Sequence, residues 1–129
     1  MSIFTKIIAG EIPCYKIAEN ETCFAFLDIS PLAKGHVLVV PKLEIDYLFD
    51  APDALLNDLT LFSKHIARAL KKAVPCLRIG VAVIGLEVPH AHIHLIPLNH
   101  VGDINFSRPK MKISPEELAE IAEAIRKEL

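Results

Sequence analysis

Ile3, Phe4, Ile7 and Ile8 repeat at the three-or-four spacing of one helical face, and Gly10 stands where such a helix would be capped, so the chain opens on a short helix. Two strands are expected next, Cys14 to Ile17 and Thr22 to Leu27, around a turn at Glu19-Asn20-Glu21. A third, His36 to Val40, follows Gly35 and closes at Pro41. Asp50, Pro52 and Asp53 carry helix-start signals, and Leu55, Leu59, Phe62, Ile66, Ala69, Leu70 and Ala73 keep a helical stripe to about Ala73. Leu77 to Ile84 is rich in Val and Ile and reads as a fourth strand. A fifth is expected over residues 90–97, as its hairpin partner after Gly85. Ser114 as N-cap, Pro115 at N1 and Glu117 at N3 then start a helix over about residues 115–129, with Leu118, Ile121, Ala122 and Ile125 on one face. Strands and helices do not alternate strictly. The pattern therefore predicts an α+β domain: a mainly antiparallel sheet of about five strands, a long central helix and a C-terminal helix.

Composition narrows the class. At 129 residues and 52% apolar, the chain is long enough for one domain, residues 1–129, with a proper core. The formal charge is −2 and no basic cluster stands out beyond Lys71-Lys72, so a nucleic-acid partner is not expected. Cys14, Cys23 and Cys76 are odd in number and lack C-x-x-C spacing, which argues against a disulfide framework or a zinc ribbon and fits a reducing cytoplasm. The first residues, Met-Ser-Ile-Phe-Thr-Lys, contain no apolar signal region, and no apolar run approaches the ~20 residues that span a bilayer, so no membrane partner is expected.

Chemistry concentrates in Val88-Pro89-His90-Ala91-His92-Ile93-His94-Leu95-Ile96-Pro97. On a strand, His90, His92 and His94 share one face while Ala91, Ile93 and Leu95 share the other. Pro89 and Pro97 bracket the run, where proline does least harm to a ladder. A purely structural trio is costly, because three buried neutral imidazoles need six polar partners. As a metal site the trio is awkward: at ~3.3 Å per residue His90 and His94 lie ~13 Å apart, whereas two nitrogens on one zinc lie within ~4 Å. A pair joined by His36, His100 or Asp103 would be needed. The third reading is nucleophilic catalysis, in which one ring nitrogen attacks while the other is held protonated, an arrangement suited to acyl or phosphoryl transfer.

The run His90 to Ile96 resembles the signature of the histidine-triad (HIT) family. Ile3 to Pro13 resembles the opening motif of its Hint branch, and Phe26-Leu27-Asp28-Ile29-Ser30-Pro31 with Gly35 to Lys42 resembles its next two strands, so the likeness covers residues 3 to about 98. The resemblance implies a homodimer whose sheets join into one, and a purine nucleotide substrate such as a nucleoside 5′-phosphoramidate. It also implies a phosphoramidase-like hydrolase that needs neither metal nor cofactor. Residue by residue, it gives His92 as the nucleophile at the α-phosphate, forming a nucleotidyl-histidine. His90 and His94 become its flanking partners and His36 a fourth histidine. Asp28 becomes the acceptor for ribose hydroxyls, and Phe4, Ile7, Ile12, Ile29 and Leu38 the apolar positions around the base. Two other functions stay open at this point: a nucleotide-binding regulatory module with little turnover, and a histidine-based metal site.

The chain departs from the family where Gly85-Leu86-Glu87-Val88-Pro89-His90 replaces the common Gly-Gln-Ser/Thr-Val-x-His, since Leu86 cannot donate the hydrogen bond of a glutamine. Glu87 brings a negative charge near an expected anion, which could repel it or favour a cationic leaving amine. Residues 99–113 form a loop long enough to mark a functional or partner-binding segment, and its Arg108 could reach a phosphate or the dimer mate.

Overall fold

Asn20 turns the first hairpin, its Oδ1 accepting from the backbone N–H groups of Thr22 at 3.0 Å and Cys23 at 2.8 Å. In the computed structural model, which describes residues 1–129, this turn joins β1 (Lys16–Glu19) to β2 (Cys23–Leu27). Helix α1 (Ile3–Ile8) precedes them, and β3 (Val37–Pro41), α2 (Asp53–Ala73), β4 (Arg78–Ala82), β5 (Ile93–Leu98) and α3 (Pro115–Lys127) follow. The sheet is antiparallel throughout, in the order β1-β2-β3-β5-β4. The α+β expectation stands.

Both faces of the central strands are covered, which is why β2 and β3 read as unbroken apolar runs. Ala25, Leu27, Val37, Val39, Ile93 and Leu95 join Leu59, Ile66 and Leu70 of α2 and Leu118, Ala122 and Ile125 of α3 in the main core. Phe24, Phe26, Leu38 and Val40 face the other way and are covered by Phe4 of α1. The stripes of α2 and α3 pack on the sheet, with Ile121 and Ala73 at the margin, and of the α1 stripe Phe4, Ile7 and Ile8 do so while Ile3 is exposed. Ser114 caps α3 by accepting from the Glu117 N–H at 3.1 Å. No helix is long and apolar enough to cross a membrane.

The largest departure from expectation concerns the histidine run. Strand β5 begins at Ile93 rather than at residue 90, so of the three histidines only His94 lies on it. Its pairing with β3 ends at Val39 opposite Ile93. Extending that register would set Ala91 against Pro41, which has no N–H to give, and the Ala91 N–H goes instead to the Ile45 carbonyl at 2.6 Å. At the other end β5 runs through Pro97. The Leu98 carbonyl accepts from Leu77 on the β4 side, so Pro97 turns its nitrogen toward β3, whose pairing has already ended at Val37 opposite Leu95, and no ladder bond is lost. The outer strands also shift, β1 starting at Lys16 rather than Cys14 and β4 spanning only Arg78–Ala82.

Candidate functional site

The face of the sheet that carries α1 also carries the imidazoles. His36 stands one residue before β3, fixed by a tight turn in which Gly35 has φ +89°; a Cβ there would lie 2.9 Å from Val74 Cγ2 and 3.0 Å from Leu70 Cδ1. His36 is 1% exposed, His90 0%, His92 7% and His94 8%. The alternation read from the sequence holds, since Ala91, Ile93 and Leu95 enter the main core while the rings occupy the opposite face.

Fixed donors and acceptors assign the tautomers. The Leu32 N–H donates to His36 Nδ1 at 3.0 Å, so the His36 proton is on Nε2, and it points at His94 Nδ1 2.9 Å away. Neutral His94 then carries its own proton on Nε2. The Pro41 carbonyl can only accept, so His90 donates to it from Nε2 at 2.8 Å and accepts at Nδ1 from the Ser2 hydroxyl at 2.7 Å. His92 likewise donates from Nδ1 to the His90 carbonyl at 2.7 Å, which leaves its Nε2 a lone pair. Burial, with the neighbouring His94, Lys110 and His92 charges adding to it, pushes His36 down to about 3. Burial, then His92 and Lys110, holds His94 down at about 4, and burial also lowers His90. Their neutrality near pH 7 supports the proton assignment.

Beside these rings lies a cleft of about 390 Å³ walled by His36, His92, His94, Asp28, Phe4 and Leu38, and closed by Phe106, Lys110 and the segment Ile84–Val88. Asp28 Oδ1 accepts from the Ser30 N–H at 2.9 Å, and Oδ2 lies 3.7 Å from His36 Nε2. That contact is not an ion pair, because His36 is neutral. Burial raises the Asp28 carboxyl above its ordinary value, against the Ser30 hydrogen bond and the Lys110 charge. Asp28, His36 and His94 place their ligand atoms within 4.8 Å of one another. They nonetheless fit a metal poorly. The Leu32 N–H fixes the His36 proton on Nε2, the nitrogen that would have to bind the ion, and moving it to Nδ1 would set two donors face to face. Asp103 does not join the cluster, its carboxylate capping the backbone of Asn99 and His100.

Of the apolar positions expected around a base, Phe4 and Leu38 line the cleft, whereas Ile7, Ile12 and Ile29 do not. Ile7 packs on the Phe4–Phe26 cluster, and Ile29, at the tip of the turn closed by Asp28 and Ser30, is 66% exposed. Arg108 is tied to its own loop, donating to the Gly102 carbonyl at 2.7 Å, and does not line the cleft. The same loop instead delivers Phe106, whose ring centroid is 4.8 Å from that of His94, and Lys110, which sits over Phe106. Neither has a local sequence signal beyond the length of the loop.

Comparison with known proteins adds a family to this geometry. The sequence model of the HIT domain matches residues 9–101. The adenosine 5′-monophosphoramidase HNT1 of Saccharomyces cerevisiae is 43% identical over 96 residues, which are 74% of this chain and 61% of that protein. The chain thus spans less than two thirds of that relative. The adenosine 5′-monophosphoramidase of Schizosaccharomyces pombe is 35% identical over 125 residues, 95% of this chain and 94% of that one. Among solved structures, a HIT-like protein of Bartonella henselae superposes with a TM-score of 0.86 at 34% identity, covering 99% of this chain and 96% of its own.

Proposed function

The chain belongs to the HIT domain family, and from that premise we propose that it is a nucleotide hydrolase which breaks a phosphoramidate bond at the α-phosphorus of a purine nucleotide through a covalent intermediate on His92. One observation carries the reading: the Nδ1–H of His92 is bound by the His90 carbonyl, and its Nε2 lone pair is left to the cleft. In the proposed reaction His92 Nε2 bonds to phosphorus as the P–N bond of the substrate breaks, and the departing nitrogen takes up a proton. Water then attacks phosphorus, releasing the nucleoside monophosphate; its proton replaces the one consumed, and His92 regains its lone pair. His94, neutral with a proton on Nε2, donates to a phosphate oxygen, while His36 fixes that tautomer from behind.

Asp28 keeps Oδ2 for a ribose hydroxyl, and the base packs on Phe4 and Leu38. Lys110 and Glu87 put opposite charges on the cleft wall and discriminate among leaving groups. Leu86 is 88% exposed and offers the phosphate nothing. We take residues 1–129 as one catalytic domain working as a homodimer: β4 is an edge strand with Val81 63% exposed and Val83, just past its end, 45% exposed, the kind of edge a second sheet can extend. Three unpaired cysteines fit a reducing cytoplasm.

The test is AMP release from adenosine 5′-phosphoramidate with and without EDTA. Release at the same rate in both is expected. No release by folded protein, or release that EDTA stops and zinc restores, would overturn the proposal.

A further inference from the structure

His90 and His92 precede the first residue of β5, so the ladder that holds His94 does not hold them. The local backbone bonds are His90 N–H to Val88 O at 2.8 Å and Ala91 N–H to Ile45 O at 2.6 Å. The His90 carbonyl shares its peptide plane with the Ala91 N–H, so the Ile45 bond holds one end of that plane; the other end, and with it the ring of His92, is held by the His90 side chain, pinned from two directions. One pin is the Pro41 carbonyl at the end of β3. The other is the Ser2 hydroxyl at the N-cap of α1.

Ser2 is itself placed by Glu44, a residue of the loop after β3. Glu44 Oε1 accepts from the Ser2 backbone N–H at 2.6 Å and from the Thr5 hydroxyl at 2.6 Å. The Ser2 oxygen in turn accepts from the Thr5 N–H at 3.0 Å, and of the two acceptors within reach of its single proton, His90 Nδ1 at 2.7 Å is nearer than the Thr5 hydroxyl oxygen at 3.2 Å. These hydrogen bonds push the Glu44 carboxyl down to about 2, so it is a full anion at working pH. Between Ser2 and Thr5 on the same helix sits Phe4, whose ring meets both His90 and His92 edge-on at 5.7 and 5.0 Å and forms part of the cleft wall. One short helix thus seats the cleft wall and steadies the imidazole that faces it.

We propose that Ser2 and Glu44 are positioning residues: they latch α1 onto His90, and through the His90 carbonyl they set the orientation of His92. Neither touches the cleft. The inference rests on His92 as the reacting group, and its effect is on orientation rather than affinity.

The experiment compares the native chain with Ser2→Ala, Ser2→Thr and Glu44→Ala, reading kcat and KM for AMP release and the His92 Nδ1 signal by ¹⁵N NMR of histidine-labelled protein without substrate. Ser2→Ala is expected to lower kcat about tenfold while KM moves less than about twofold, because misplacing a reacting group costs rate without loosening the substrate. The hydrogen-bonded Nδ1–H signal of His92 shifts or broadens in parallel, and Ser2→Thr, which keeps the hydroxyl, restores both. Glu44→Ala, at an exposed position outside the core, moves both readouts in the same direction. A folded Ser2→Ala protein with native kcat and an unmoved His92 signal would overturn the latch, and so would losses in kcat and 1/KM of equal size. If the native protein releases no AMP, the functional reading fails by itself, and the ring signal still decides whether the latch exists.

Discussion

Alanine at position 92 is expected to lower turnover by on the order of 10⁴-fold or more while AMP binding stays within a few-fold of native. The asymmetry follows from the role proposed for His92. Its Nδ1 is used up by the His90 carbonyl, so Nε2 is the only part of the ring available to a ligand, and the role proposed for it is to form a bond rather than to hold the nucleotide. Phe4, Leu38 and Asp28, the groups proposed to hold base and ribose, belong to other elements and keep their partners. No neighbour can substitute. His94 has its Nδ1 lone pair engaged by His36 and presents a proton, and His90 has both nitrogens bonded. Single-turnover AMP release together with calorimetric AMP titration checks this. Residual turnover at a tenth of the native rate would mean that another group attacks phosphorus.

The second large effect is on stability in mild acid. Unfolded histidines titrate near 6.5, whereas His36 is held down at about 3 and His94 at about 4, with His90 lowered as well, burial being the first cause in each case. Between about pH 6.5 and pH 4 the unfolded chain therefore binds protons that the folded chain refuses, and folding stability falls as pH falls. Each such group contributes a slope of about 1.4 kcal/mol per pH unit in that window. Two groups acting together would remove several kcal/mol, a large part of the ~5–15 kcal/mol that a domain possesses. Asp28 works against this, because burial raises its carboxyl and it takes a proton in the folded state first. Glu44, held down at about 2, adds to the loss only below the ordinary carboxylate range. Urea midpoints at pH 7, 6, 5 and 4.5 should decline monotonically, steepest below pH 6. A midpoint that is flat or rises toward pH 5 would show that the rings are not held neutral.

Much of this was legible in the residues because it depends on periodicity. The stripe from Leu55 to Leu70 and the stripe at Leu118, Ala122 and Ile125 need only a 3.6-residue period, and both lie on the sheet. The shared face of His90, His92 and His94 needs only alternation, and it survives although the first two precede the strand. The start of β5 at Ile93 was not legible, because it is set by the missing N–H of Pro41 and by the Ile45 carbonyl, both far away in sequence. Long-range closure also hid Phe106 and Lys110, delivered by a loop whose local pattern is merely polar, and the hydroxyl of Ser2, which reads as an ordinary N-cap until His90 is placed 2.7 Å from it. Conversely, Ile29 reads as an apolar position beside Asp28 but is carried outward by the turn that Asp28 itself closes.

The central claim is a covalent bond between His92 and phosphorus, and it is tested most directly by mass spectrometry of the protein and its peptides. The native chain is mixed with adenosine 5′-phosphoramidate, quenched within the first turnover under alkaline denaturing conditions that spare a P–N bond, and digested. The account predicts a mass increase of one adenylyl group, confined to the peptide that carries His92 and absent from His92→Ala. Rapid AMP release in the same time course without any adduct, or an adduct on His94 or His36 instead, would contradict it.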